Sequence, residues 1–265
     1  RIVVVSPHPA KETLAAAAML GITEFYRVGG AHAIAALAYG TASLPGVDKI
    51  VGPGNAWVTA AKKLVAFDCA IDMLAGPTEI VVTSETGDAA AIAADLVAQS
   101  EHDPDAMAIL ITTRIDLARA VMAEAKTRAK SNKVAAQALA KHGWAIVARS
   151  VEQARALTNQ IAPEHLTIDS EADLAWVRHA GSVFVGQWSA QPLGDYVSGP
   201  NHTLPTGGQA RARGGLSVMD FLKVITVQEY SSKGVQQLGP AAIRLADAEG
   251  LSGHAEAIRV RGAHD

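Results

Sequence analysis

Glu79-Ile-Val-Val-Thr83, then the alanine-rich run of residues 89–102, then Met107-Ala-Ile-Leu-Ile-Thr112 form the stretch that decides the fold class. The two short runs are almost wholly apolar and bounded by turn residues, the pattern of strands buried on both faces. The segment between them has helical length. Strands separated by a helix cannot close as a hairpin, so they pair in parallel as a βαβ unit. Toward the C-terminus the alternation continues: helix at 117–130, strand at 144–147, helix at 151–160, short strand at 166–168, helix at 173–179, strand at 182–185. Toward the N-terminus, strands are expected at 2–5, 24–28 and 49–51, and helices at 11–20, 31–39 and 56–65. The class is α/β: two Rossmann-like lobes with parallel sheets flanked by helices, over residues 1–76 and 77–215, meeting near 71–78. Residues 194–215 are dense in Gly, Pro, Asn and Ser and read as one long irregular loop, the kind that carries function in a compact enzyme. Residues 216–265 read as a small tail with one strand at 223–228 and helical segments after it.

The bulk composition narrows the function. The chain has 265 residues, is 49% hydrophobic and carries a net charge of −3, with 5% aromatic residues and no basic run. A nucleic-acid surface needs clustered Lys and Arg with stacking rings, and neither is present. No apolar stretch reaches the length of a membrane span. The single cysteine, Cys69, permits no internal disulfide and suits a reducing compartment; a cytoplasmic protein is expected. Arg1-Ile-Val-Val-Val-Ser6 opens directly on a strand without Met or leader, as in a chain whose upstream part is cut away or absent.

Five polar segments offer imidazoles, carboxylates and an amide, a donor set that suits zinc: Gln99-Ser-Glu-His102, Pro163-Glu164-His165, Gly194-Asp195-Tyr196, Gly199-Pro-Asn-His202 and Glu249-Gly-Leu-Ser-Gly-His254. Gln99 and His102, three apart on the 89–102 helix, share a face and can present an amide oxygen and an imidazole to one ion; the plainer reading is a polar helix end. Glu164-His165 precedes a strand, where a scaffold holds catalytic groups in place. One of the pair can deprotonate water for a hydrated carbonyl while the other accepts a proton during hydride loss; a solvated turn is the alternative. Asp195 can ligate a metal or shape a turn, and His202 can ligate or bind substrate. Glu249 and His254, taken alone, are surface residues of the helical tail. Gly29-Gly30-Ala-His32 and Gly52-Pro-Gly54-Asn55 each follow an expected strand and open a helix, where backbone amides can approach a phosphate or simply make a tight turn. His8, His142, His179 and His264 have no suitable partners nearby.

These segments, together with Tyr26-Arg-Val-Gly-Gly-Ala-His-Ala-Ile-Ala-Ala-Leu-Ala-Tyr-Gly40, Val47-Asp-Lys-Ile-Val-Gly-Pro-Gly-Asn55, Ile71-Asp-Met-Leu-Ala-Gly-Pro-Thr-Glu79 and Gly199-Pro-Asn-His-Thr-Leu-Pro-Thr206, run in the order found in histidinol dehydrogenases, and the chain resembles the C-terminal portion of that family. The resemblance implies NAD-linked oxidation of L-histidinol to L-histidine through an aldehyde, the last step of histidine biosynthesis. It implies zinc held by Gln99, His102, Asp195 and His254, and an acid/base pair of Glu164 and His165. Substrate contacts would come from Thr78, Gln99, His102, His165, Asp195, His202, Glu249 and His254, and NAD contacts from His32 and Asn55. It further implies a homodimer in which the tail, through Glu249 and His254, completes the partner's site. His32 stands where the family usually has Gln, Thr78 where Ser is more usual, and the family's chains are longer at the N-terminus. Two other readings stay open: a dehydrogenase of another small alcohol, such as a sulfonated diol, on the same scaffold, and an inactive zinc-binding fragment.

Overall fold

The computed structural model describes residues 1–262; His264 and the end of the 216–265 tail lie outside the described residues. Its main sheet contains β5 (Glu79–Thr83), β6 (Met107–Thr112), β7 (Gly143–Val147), β8 (His165–Ile168) and β9 (Ser182–Val185), all parallel in the order β7-β6-β5-β8-β9. Successive side chains of a strand face opposite sides. Ile80 and Val82 of β5 accordingly join the core under α4 (Ala89–Ser100), α5 (Ile115–Arg128) and α6 (Lys133–His142). Val81 joins the opposite core with Leu166, Ile168 and Ala154 of α7 (Val151–Ile161). Burial on both faces explains why β5 carries no polar residue between Glu79 and Thr83. Caps start three of the helices around this sheet: Asp88 accepts from Ala91 N at 2.9 Å, Ser150 from Gln153 N at 3.2 Å, and Asn132 from Val134 N and Ala135 N.

The N-terminal part has two small parallel pairs, β1 (Val3–Val5) with β2 (Glu24–Tyr26) and β3 (Lys49–Ile50) with β4 (Ala70–Ile71). Both pairs border one core, in which Ile34 and Leu37 of α2 (Gly30–Tyr39) meet Ala61 and Val65 of α3 (Ala56–Val65), with Val3, Val5 and Tyr26 packed alongside. α1 (Lys11–Met19) connects β1 to β2, giving the expected βαβ alternation. Parallel sheets flanked by helices are thus the architecture.

By compactness the chain divides into Arg1–Asp220 and Phe221–Asp265. The second unit is a helical pair, α9 (Ser232–Ala248) and α10 (Ser252–Arg259), closed around Ile243, Ala246 and Ala255. Among the described residues no helix is long and apolar enough to cross a membrane.

Several elements differ from the sequence expectation. Residues 223–228 are not a strand: they are irregular, with Val224 and Val227 exposed, and a strand needs a hydrogen-bonded neighbour that the described residues do not give it. Residues 173–179 form only a short 3-10 turn over Glu171–Ala175, because Asp173 folds back onto Ser170 and Asn159 Oδ1 takes the amides of Arg178 and His179. The helix expected at 117–130 stops at Arg128, and α6 follows where no helix was expected. The irregular 194–215 stretch is entered by a short helix, α8 (Pro192–Tyr196), with Pro at its first turn, and contains a 3-10 turn at Gln209–Arg211.

Candidate active site

β5 and β8 are neighbours, with Ile80 opposite His165, so Thr78-Glu79 and Glu164-His165 meet at the amino ends of the two strands. The chain reaches β8 from α7 through Ala162, which has φ 55° and is fully buried. It is the one non-glycine among the described residues with positive φ. Such strain, of order 1 kcal/mol or more, is held only where the surroundings fix it. α4 runs back across the sheet and delivers Gln99 to the same end. The helix stops at Ser100, so His102 lies just beyond it rather than on it, yet close enough to share the site.

There Thr78, Gln99, His102, Glu164, His165, Asp195 and His202 line one cavity of about 390 Å³. Pro53, Met73 and Ala75 wall the side formed by the N-terminal part. A hydrogen-bond chain organises the floor: Gln99 Nε2 donates to Thr78 Oγ1, and Thr78 Oγ1 donates to Glu164 Oε2 at 2.5 Å. Glu79 N donates to the same carboxylate oxygen at 3.0 Å. Both donors fall on Oε2 of Glu164. His165 lies with Nδ1 3.6 Å from Glu164 Oε2 and Nε2 3.8 Å from Asp195 Oδ1, its ring stacked on Phe184. Burial opposes charge on this imidazole, but its contacts with Asp195 and Glu164 outweigh burial and raise its pKa to about 9. The His165 contact in turn holds Asp195 below the usual carboxylate value, against its own partial burial.

Gln99 is 1% exposed and its Oε1 has no hydrogen-bond partner. A buried carbonyl left unpaired costs about 1–3 kcal/mol, so it calls for an electropositive partner. Gln99, His102 and Asp195 line the same cavity, and an amide oxygen, an imidazole and a carboxylate are a donor set that suits zinc. Among the described residues no three His, Cys, Asp or Glu side chains stand together as a metal site; two of the expected ligands here are of those types and the third is an amide.

His32 is exposed in the first turn of α2, and Asn55 caps α3, its Oδ1 accepting from Val58 N at 3.1 Å. Neither lines the cavity, although Pro53 of the same loop does. At Gly30 and Gly52, both with positive φ, nothing lies within 4 Å of where a Cβ would stand, leaving room for a ligand's backbone approach. Glu249 follows α9 directly and His254 lies in α10, both exposed within the second unit.

Sequence reasoning missed Glu79, Gln191 and Thr206. Glu79 is 3% exposed and accepts from Gly207 N, while Thr206 Oγ1 accepts from Gly76 N at 2.6 Å. These two bonds hold the Leu204–Thr206 wall against the start of β5. Buried Gln191 lies 3.4 Å from Asp195 Oδ2. The one available signal was the adjacency of Glu79 to Thr78. The opposite, carboxyl end of the sheet, where open α/β sheets usually bind ligands, has a smaller cavity of about 170 Å³. There Asp169 already accepts from Glu85 N, Thr86 N and Ser84 Oγ, taking amides that a phosphate would need.

The sequence model of the histidinol dehydrogenase family matches residues 1–262. Histidinol dehydrogenase of Bacillus thuringiensis subsp. konkukian is 46% identical over 98% of this chain and 63% of its own length. That of a Synechococcus strain is 48% identical with the same coverages. The crystal structure of histidinol dehydrogenase from Elizabethkingia anophelis superposes with a TM-score of 0.92 at 39% identity, over 98% of this chain and 63% of that one. The chain therefore spans somewhat less than two thirds of the length of these relatives. Motif order, fold and the gathering of seven expected residues around one cavity agree with these likenesses: the chain belongs to the histidinol dehydrogenase family.

Proposed function

We propose that this chain carries the chemistry of a zinc-dependent histidinol dehydrogenase, which oxidises L-histidinol to L-histidine with two NAD through histidinal. The observation that carries the proposal is the buried, unpartnered Oε1 of Gln99, a residue that lines the same cavity as the Glu164–His165 pair. When bound, NAD supplies the hydride acceptor, and zinc on Gln99, His102, Asp195 and His254 supplies a fixed charge that holds the substrate's imidazole and amino nitrogens. The remaining work falls to the side chains. In the alcohol step His165 accepts the hydroxyl proton as the carbinol carbon gives up hydride. Were Asp195 to hold zinc, one of the two carboxylates that raise the His165 pKa would be engaged elsewhere, and the neutral ring would be available as a base. In the aldehyde step Glu164, oriented through Oε2 by Thr78 and Glu79 N, takes a proton from water as its oxygen adds to the carbonyl carbon, and His165 gives the proton it took in the first step to the carbonyl oxygen, completing the hydrate. His165 then accepts the hydrate's hydroxyl proton as the second hydride leaves. Thr78 and His202 orient the substrate. We further propose a homodimer in which Glu249 and His254 complete the partner's site; both are exposed in their own unit, as groups reserved for another chain must be before assembly.

The test is product stoichiometry in the intact protein. Two NADH per L-histidine formed, with no turnover of a sulfonated diol, agrees with the proposal. Turnover of the diol and none of histidinol would assign the scaffold to another alcohol.

A further inference from the structure

Lys62 of α3 and Asp72, just after β4, form an ion pair whose side chains are 2% and 0% exposed. Removing two charges from water costs several kcal/mol per ion, and well-packed apolar residues are often as stable in such a place, so stability alone is a poor reason for the pair. Its hydrogen bonds show what it holds. Asp72 Oδ2 accepts from Gly52 N at 2.7 Å, and Lys62 Nζ donates to Gly52 O at 2.9 Å as well as to Asp72 Oδ1. Gly52, with φ 112°, is thus gripped on both its amide and its carbonyl. Asp72 Oδ1 also accepts from Met73 N at 2.5 Å. The residues next to the two gripped peptides, Pro53 and Met73, both line the catalytic cavity. Thr59 Oγ1 of the same helix donates to Ala75 O at 2.9 Å and steadies the third apolar wall residue.

The cavity is therefore two-sided. Groups that bind the substrate and move its protons come from the amino ends of β5 and β8, the end of α4 and residues 195–202. The facing wall of Pro53, Met73 and Ala75 is apolar and belongs to the part with the glycine-rich strand-to-helix turns. A hydride acceptor must lie against the substrate carbon from that wall, since the other side is occupied by Glu164, His165 and the metal-ligating groups.

We propose that Lys62 and Asp72 are positioning residues for the hydride acceptor: by clamping Gly52 and Met73 they set the wall on which the nicotinamide ring rests. This inference rests on the NAD-linked reading above. The experiment uses the intact protein and the double variant K62M/D72N, which leaves no uncompensated buried charge. Gly52→Ala is the second variant, straining the same peptide without touching the ion pair or meeting any neighbour within 4 Å. NAD affinity is measured calorimetrically without substrate, histidinol affinity without NAD, and zinc content alongside. Displacing the wall should weaken NAD by about tenfold, equivalent to about 1.4 kcal/mol of lost ring contact. Histidinol affinity and zinc content should stay at the parent's values. A parent protein that binds no NAD would defeat the NAD-linked reading itself. Folded variants that bind NAD as tightly as the parent, or that lose NAD and histidinol equally, would overturn the positioning role. If the double variant does not fold, Gly52→Ala decides by the same criterion.

Discussion

Glu79→Gln should stabilise the protein, and the gain should depend on pH in a defined way. Glu79 opens β5 and is almost completely buried. Burial raises its carboxyl from 4.5 to about 7, with the Gly207 N–H opposing the rise and Glu164 adding to it. Between those values the unfolded chain has released this proton while the folded chain still holds it. Stability therefore falls as pH rises through the window, is unaffected below 4.5, and carries the whole penalty above about 7. At 1.36 kcal/mol per pKa unit the penalty is about 3 kcal/mol. Glutamine has nearly the same shape, stays neutral, and can still accept from Gly207 N. Urea unfolding of parent and variant across the window should give no difference at the acid end, widening to about 3 kcal/mol in favour of the variant above neutrality. Comparing the two proteins at each pH cancels the other titrating groups. An offset that does not change with pH would refute the reasoning, because it would mean that the carboxyl ionises alike in both states.

Glu164→Gln should impair oxidation of histidinal far more than oxidation of histidinol, since only the aldehyde step needs an activated water; equal losses in separate assays would remove that division of labour. His165→Asn should slow both steps by roughly 10²–10⁴, the usual worth of a positioned proton acceptor; loss of one step alone would contradict a role in each. His254→Ala and Asp195→Ala should each be inactive alone but recover partial activity when co-expressed. In the mixed dimer one site then joins an intact Gln99, His102 and Asp195 to an intact His254. Verified heterodimers that stay inactive would show that the tail serves its own chain.

The architecture was legible because both strand and helix signals were local. The apolar runs of β5 and β6 and the alanine-rich α4 carry their periodicity within a few residues, and β5, β6 and β9 have the expected bounds. What could not be read depended on distant partners. The apolar residues near Val224 look like a strand in isolation, but a strand exists only with a neighbour. The 173–179 helix was lost to Asp173 and Asn159, whose side chains compete for the backbone amides. Of the expected site residues, Gln99, His102, Glu164, His165, Asp195 and His202 were legible as short polar motifs and Thr78 through the family resemblance, and the fold brings these seven to one cavity. Glu79, Gln191, Thr206 and the Lys62–Asp72 pair were not found. They act by holding other residues in place, and their partners lie from 4 to 130 positions away.

The central claim, a zinc ion held through the orphan oxygen of Gln99, is tested most directly by metal content together with turnover in the intact protein and its Gln99→Ala variant. The parent should retain zinc through dialysis, lose L-histidinol oxidation on chelation and regain it when zinc is returned. The folded variant should retain far less zinc and show little activity at the same metal concentration. Undiminished activity in a verified metal-free parent, or a Gln99→Ala protein that holds zinc as tightly as the parent, would contradict the account.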